Sequence, residues 1–145
     1  EKLPVTVFGE GWEKYSCGDE HSLRREPAVP FALSFERIAK AHVLLNVSPI
    51  FNRGMHDRVP AGMANHAVVL TDENPYLRRT FTDGKELLFY SLEKPDTLCE
   101  QAERTLTDVR LREKIAASAY ETFEREYTWK RRAEQILAFA EEVEA

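Results

Sequence analysis

The sequence has little cysteine and shows no spacing typical of a metal site. Its 2 cysteines, Cys17 and Cys99, lie in no CxxC pair. The 4 histidines are equally scattered. We therefore expect a reducing compartment, the cytoplasm, and no bound metal.

Long apolar runs and an excess of positive charge are missing as well. No stretch approaches the roughly 20 apolar residues that span a bilayer, and the first residues lack the features of a signal peptide. The net charge of -5 gives no general attraction to nucleic acid or to an anionic membrane. We expect a protein that is not transmembrane and binds no nucleic acid. The missing initiator Met suggests a fragment of a longer chain.

The remaining composition is typical of a globular domain. With 145 residues, 43% hydrophobic and 31% charged, the chain is long enough for one good core and too apolar to be disordered. It contains no internal repeat or linker. We expect a single domain over residues 1–145, with a helical C-terminal segment at 94–145.

Short apolar runs alternate with helical patterns along the chain. Val5 begins the first run, and the polar loop after it has room for one weak strand. Ser34 and Asn74 are expected helix N-caps, and Thr128 is expected to cap a last helix. That helix should bury a face containing Trp129. The predicted strands are 5–8, 43–47, 67–71 and 86–90, and the predicted early helices start at Ser34, near His56 and at Pro75.

Strands that alternate with helices and are apolar almost throughout are typical of a parallel sheet covered on both faces. We therefore predict an α/β fold with an open parallel sheet. Such sheets bind ligands where the carboxyl ends of strands meet helix N-termini. The polar segment 53–58 stands at such a place, after the strand at 43–47. Gly54 permits close backbone approach and Arg53 and Arg58 add positive charge, so we expect a phosphate there.

A dinucleotide site is a weaker alternative. The first predicted strand is followed by Gly9 and Gly11, which supply only two of the three glycines of GxGxxG. No acidic residue follows at the distance that motif requires. The motif therefore does not support a dinucleotide-dependent enzyme.

Four segments resemble one known family, in the order expected for it. They are VTVFGEGW, VPFALSFERIAKAHVLLNVSP, RVPAGMANHAVVLTDENPYLRRTFTDGKELLFY and REYTWKRRAEQIL. Together, from about Pro4 to Ala140, they are similar to the C-terminal half of a group 1 glycosyltransferase of the spore-maturation-protein-like subgroup. The resemblance implies one Rossmann-like half of a two-domain enzyme. This half would bind a nucleotide-sugar donor, and the N-terminal acceptor-binding domain would be missing from the sequence.

The resemblance also implies which residues hold the donor. They fall into a glycine loop, a segment that meets the base, a loop that faces the sugar and diphosphate, and a helix start that surrounds the phosphates. The glycine loop contains Gly9 and Gly11, and the segment that meets the base is Pro30 to Leu33, with Phe31 and Leu33 as the candidate contacts. The loop that faces the sugar and diphosphate contains Asn46, Ser48 and Pro49. The helix start contains Arg53, Gly54, Met55, His56, Asp57 and Arg58.

The sequence departs from the family pattern at two glutamates that group 1 enzymes often carry. Arg53 and Ala61 occupy those positions. Ala61 cannot accept a hydrogen bond from a ribose, so that contact is absent or comes from elsewhere, with Asp57 as a candidate. Two hypotheses follow: a nucleotide-sugar-binding enzyme domain, or a decayed Rossmann-like module that serves as a scaffold or interaction surface.

The activity implied by the resemblance is glycosyl transfer of the retaining type. An acceptor hydroxyl attacks the anomeric carbon while the nucleoside diphosphate leaves, and positive groups stabilise the charge on the leaving group. The resemblance implies no cofactor and no metal requirement. The catalytic base is expected from the missing domain, so the fragment should bind the donor without turnover. Peripheral membrane association through the full-length protein is left open.

Overall fold

The computed structural model describes residues 3–15, 23–50 and 53–144. Cys17 and His21 lie outside the described residues. The chain divides into two compact units, Glu1–Arg37 and Ile38–Ala145. That residues 1–145 form a single domain stays a prediction.

The first unit contains a pair of parallel strands. β1 (Val5–Phe8) pairs along its length with β2 (Leu23–Glu26), so the weak strand predicted in the polar loop is present. A short 3-10 helix, Trp12–Lys14, follows β1. None of the residues described between 3 and 37 is buried, so the described part of this unit has no closed core.

Helix α1 (Phe31–Ile38) begins earlier than the sequence suggested. The carbonyl of Pro30 accepts hydrogen bonds from the amides of Leu33 and Ser34 at 2.9 and 3.2 Å and so starts the helix. Ser34 lies inside it, where its hydroxyl donates to the carbonyl of Phe31 at 2.6 Å. The prediction that Ser34 is the N-cap is therefore wrong, because Pro30 supplies the first acceptor.

The second unit contains a three-stranded parallel sheet. Its strands are β3 (Val43–Asn46), β4 (Val68–Asp72) and β5 (Leu88–Tyr90), and β4 lies in the middle. Every residue of β4 is buried. A central strand covered on both faces needs apolar side chains on both, which explains its nearly continuous apolar sequence.

Helices cover both faces of this sheet. Successive strand residues point to opposite faces, so Val69 of β4 packs with Met63 on one face, while Val68 packs with Ile115 on the other. The α/β, Rossmann-like fold with a helical C-terminal segment is thus confirmed. The helices of this unit are α2 (Arg58–Ala64), α3 (Pro75–Thr80), α4 (Asp96–Thr107), α5 (Val109–Glu126) and α6 (Trp129–Glu144).

Gly62 allows α2 to lie directly on the sheet. A Cβ atom at this position would stand 2.5 Å from Cγ2 of Val69 and 3.0 Å from Cδ2 of Leu44. Contacts this short are not tolerated, so any side chain would push α2 away from β3 and β4. The glycine is required for close packing of the helix that leads from the candidate site.

Helix α6 is capped at its start but its apolar side is exposed. The hydroxyl oxygen of Thr128 accepts from the amide of Arg131 at 3.2 Å, as predicted. Trp129 is nevertheless 90% exposed, and Ile136 and Leu137 are 67% and 64% exposed. The predicted buried face is wrong for the described part of the chain, because periodicity marks an apolar side without providing a neighbour to cover it. In the described ranges, no helix has the length and apolar character needed to cross a bilayer.

Candidate functional site

The last residues of three adjacent parallel strands meet at one edge of the second unit. Asn46 ends β3, Asp72 ends β4 and Tyr90 ends β5. Parallel strands place their carboxyl ends at the same edge, which is the usual ligand-binding edge of open α/β sheets. These three residues are 0%, 1% and 3% exposed. Polar groups buried to this degree require hydrogen-bond partners.

One hydrogen-bond network satisfies these groups. The side-chain amide of Asn46 donates to the hydroxyl oxygens of Thr71 at 2.9 Å and Ser48 at 3.1 Å. The hydroxyl of Tyr90 donates to the carbonyl oxygen of Asn46 at 3.0 Å. The backbone amide of Ser48 donates to Oδ1 of Asp72 at 2.8 Å. The network therefore joins all three strands to the segment that follows β3.

The surroundings of Tyr90 keep its hydroxyl neutral. Burial and, next in size, the carboxylate of Asp72 raise the pKa of Tyr90 to about 12, while the guanidinium of Arg58 lowers that pKa by less. At neutral pH the hydroxyl is therefore a hydrogen-bond donor. Both Asp72 and Arg58 are close enough to influence it.

Arg58, the first residue of α2, is held beside this edge. Its Nη2 donates to the carbonyl oxygen of Val47 at 3.4 Å, and its Nε donates to Nδ1 of His56 at 3.2 Å. A guanidinium carries five N–H donors, more than these two bonds use. Its planar geometry suits paired contacts with phosphate oxygens. The arrangement therefore presents a fixed positive charge at the candidate site.

The backbone amides at the start of α2 are already bonded within the chain. The amides of Arg58 and Val59 donate to Nδ1 and the carbonyl of His56 at 3.2 and 3.0 Å, and the amide of Ala61 donates to the carbonyl of Asp57 at 3.0 Å. Pro60 has no N–H group. The amides of Arg58, Val59 and Ala61, which we expected to be available to a phosphate, therefore already have acceptors within the chain.

His56 serves as a cap for the first turn of α2. Its Nδ1 accepts from Arg58, yet the same atom lies 2.5 Å from Oδ1 of Asp57. An unprotonated nitrogen accepts and a protonated one donates, so the two contacts are alternatives that depend on the proton at Nδ1. In either case His56 and Asp57 contribute to the shape of the turn that carries Arg58.

The other predicted residues of the second unit take different places. The carbonyl of Gly54 accepts from the side-chain amide of Asn74 at 3.4 Å, which links this glycine to the N-cap of α3. Met55 packs against the buried cluster beneath α2 and so helps to support the site. Pro49 and Arg53 are exposed.

In the first unit, the predicted glycines form the turn after β1. Gly9 and Gly11 have φ angles of 119° and 90°, which only glycine adopts readily. Phe31 and Leu33 lie in the first turn of α1 and are 70% and 42% exposed. The ring of Phe31 contacts Phe35 edge-on at 5.0 Å between centroids.

The residues predicted from sequence include only part of the network. Asp72, Thr71 and Tyr90 were not among the predicted site residues, although each stands at the end of an otherwise apolar strand. Polar residues at the carboxyl ends of strands predicted to be parallel could have identified these positions as part of the site. Asn74 was predicted only as a helix cap, which is confirmed by the bond from the amide of Leu77 at 2.8 Å. In the part of the chain that the structure describes, no three His, Cys, Asp or Glu side chains are grouped to hold a metal ion.

This chain is similar to a known protein family and to several solved structures. The profile of a family described as glycosyl transferase-like matches residues 1–138. A search of curated proteins found no match. Several solved structures share the fold.

Three of these structures illustrate the likeness. HepE from Anabaena in complex with UDP-glucose has a TM-score of 0.72 and 11% identity, over 85% of this chain and 33% of that chain. A glycosyltransferase from Rickettsia africae ESF-5 has a TM-score of 0.71 and 10% identity, over 86% and 32%. The C-terminal domain of the group 1 glycosyltransferase LpcC from Francisella tularensis has a TM-score of 0.56 and 13% identity, over 74% and 69%. The match covers about a third of the length of the first two proteins, and at these identities it shows the fold.

Proposed function

The chain belongs to the glycosyl transferase-like family, and from this premise we propose that it is the nucleotide-sugar-binding half of a two-domain group 1 glycosyltransferase. The observation that carries the proposal is Arg58, whose guanidinium donates to the carbonyl of Val47 beside the carboxyl edge of a parallel sheet. That HepE, which shares this fold, was solved with UDP-glucose supports a nucleotide sugar as the ligand.

The proposed chemistry uses this positive charge. In glycosyl transfer the bond between the anomeric carbon and the diphosphate oxygen breaks, the acceptor oxygen bonds to that carbon, and negative charge collects on the leaving diphosphate. A cation fixed before the reaction stabilises this charge without reorganisation. In this proposal the transfer is retaining, the enzyme belongs to the spore-maturation-protein-like subgroup and is cytoplasmic, and the acceptor and catalytic base are supplied outside this sequence.

A second candidate function follows from Ala61. This residue of α2 has no side-chain acceptor for a ribose hydroxyl, which favours a decayed module with a scaffold or interaction role. Asp57 precedes α2, and its side chain is 67% exposed, so it is the carboxylate that could replace the missing contact in an active enzyme. Binding of a nucleoside diphosphate distinguishes the enzyme domain from the decayed module.

A thermal-shift panel tests the proposal on this chain. UDP, GDP, dTDP and CDP are compared with NAD, and any response is confirmed by calorimetry. A ligand at about 100 times its dissociation constant adds roughly 2.7 kcal/mol of stability, which raises the melting temperature by about 2 to 8 °C. A response to one nucleoside diphosphate and none to NAD is expected. The response should persist in EDTA, because Arg58 rather than a metal is proposed to meet the diphosphate. If none of the four nucleotides responds, the decayed module is the better description.

A further inference from the structure

Three consecutive residues after β3 are held by side chains from three different elements. The carbonyl of Asn46 accepts from Tyr90 of β5 at 3.0 Å. The carbonyl of Val47 accepts from Arg58 of α2 at 3.4 Å. The amide of Ser48 donates to Asp72 of β4 at 2.8 Å.

Two of these bonds hold the same peptide unit. The carbonyl of Val47 and the amide of Ser48 belong to one planar group, so its orientation cannot change at one end alone. Asp72 accepts from the amide end, while Arg58 donates to the carbonyl end. When Asp72 fixes the amide, it therefore also fixes the direction of the carbonyl that holds Arg58.

Tyr90 fixes the preceding peptide unit. Its hydroxyl holds the carbonyl of Asn46, which shares a plane with the amide of Val47. With the planes on both sides of Val47 restrained, the two backbone dihedrals of that residue are restrained as well. Tyr90 is 3% exposed and its hydroxyl already donates to Asn46, so a role through the backbone suits it better than direct ligand contact.

We infer that Asp72 and Tyr90 are positioning residues that hold the guanidinium of Arg58 in place for the diphosphate, acting through the two peptide planes around Val47. This inference rests on the proposed function, because it takes the diphosphate as the ligand of Arg58. In this role, the buried residues Asp72 and Tyr90 affect the affinity for the diphosphate separately from their effect on the stability of the fold.

A double-mutant cycle with UDP as the probe tests the role of Tyr90. Affinities of the wild-type chain, Tyr90→Phe, Arg58→Ala and the double variant are measured by calorimetry well below their melting temperatures. Tyr90→Phe is expected to weaken binding about fivefold, and to have no further effect once Arg58 is replaced, because residues that act through one another are not additive. Tyr120→Phe is the matched control, since it removes a hydroxyl that donates to Glu124 at 2.9 Å on the exposed surface of α5.

The outcomes are distinct. An equal loss from Tyr90→Phe with and without Arg58, or no loss at all while the wild-type chain binds, would overturn the inference and leave the proposed function standing. A wild-type chain that binds none of UDP, GDP, dTDP and CDP would overturn the proposed function and the inference with it. A purely structural role of Tyr90 would lower the melting temperature without changing the affinity of the folded protein.

Asp72 offers an independent test. Asp72→Asn keeps an oxygen that can accept from the amide of Ser48, whereas Asp72→Ala removes it. We expect the loss of UDP affinity to be several times smaller for the asparagine variant than for the alanine variant. Equal losses would show that the charge of Asp72, and not its hold on Ser48, affects binding, which would overturn the assignment for this residue.

Discussion

The hydroxyl of Tyr90 donates a hydrogen bond to the backbone carbonyl of Asn46, a residue 44 positions earlier in the chain. These residues end the two outer strands of the second unit, and β4 lies between them. The bond therefore crosses the middle strand at the edge where the candidate site lies. Because its partners are so distant in sequence, the site depends on strand order rather than on one contiguous motif.

Arg58→Ala should weaken nucleoside diphosphate binding by about 10- to 150-fold while leaving the fold intact, since a charge-assisted bond to phosphate contributes about 1.5 to 3 kcal/mol. Calorimetry with UDP and a thermal melt measure the two effects. Arg79→Ala is the control, because it removes the same charge from an exposed position of α3. Unchanged affinity for the Arg58 variant, or an equal loss in both variants, would exclude Arg58 from the site.

Gly62→Ala should lower the free energy of unfolding by about 1 to 3 kcal/mol, as overpacked core positions do. Alanine is the better helix former, but here its Cβ would lie 2.5 Å from Val69. Urea denaturation provides the measurement. Gly54→Ala is the control, since a Cβ there would meet no atom within 4 Å. If both variants unfold at the wild-type midpoint, α2 does not contact the sheet as described.

Trp129→Ala should cost less than about 0.5 kcal/mol of stability, because exposed positions contribute little. The indole is 90% exposed. If Trp129 lay on a buried face, as predicted from the sequence, its truncation would cost much more stability. Leu77→Ala should cost about 2 to 5 kcal/mol, since Leu77 is fully buried. A loss at Trp129 comparable to that at Leu77 would show that this side of α6 is covered in solution.

Tyr90 should make the stability of the wild-type chain sensitive to alkaline pH. Its pKa is about 12 in the folded protein and 10.0 in the reference state, so the folded state holds the phenolic proton more tightly. The resulting stabilisation is fully present below pH 10 and is lost as the pH rises to about 12. Relative to Tyr90→Phe, the wild-type chain should lose about 2 kcal/mol over this range. Urea midpoints of the two proteins that stay parallel from about pH 9 to 12 would contradict the raised pKa.

Much of the fold could be predicted from local sequence patterns. The buried strand that contains Val68 was predictable because a central parallel strand must be apolar on both faces. The caps formed by Asn74 and Thr128 were predictable because a cap needs only a side-chain oxygen and amides two or three residues later. Ser34 has the same chemistry, but Pro30 begins the helix earlier, and local preference could not decide between them.

The candidate site was predictable only in part. Arg58 stood out as a charge beside a predicted helix start, and its side chain lies beside the end of β3. That it meets a phosphate stays a prediction. The amides of that helix start were expected to be open, yet His56 and Asp57 already use those of Arg58, Val59 and Ala61. Such competition depends on backbone geometry, which residue types alone do not specify.

Local sequence patterns specify the succession of strands and helices along the chain, the α/β class and the residue types available for an anion, because these depend on periodicity and side-chain chemistry along short stretches. The tertiary structure alone decided which strand ends meet, so that Tyr90 bonds to Asn46 and Asp72 to Ser48. It also decided that Trp129 is exposed. The physical reason is the same in each case: a pattern shows which side of an element prefers burial, whereas burial and hydrogen bonding require a partner that chain topology brings from elsewhere in the sequence.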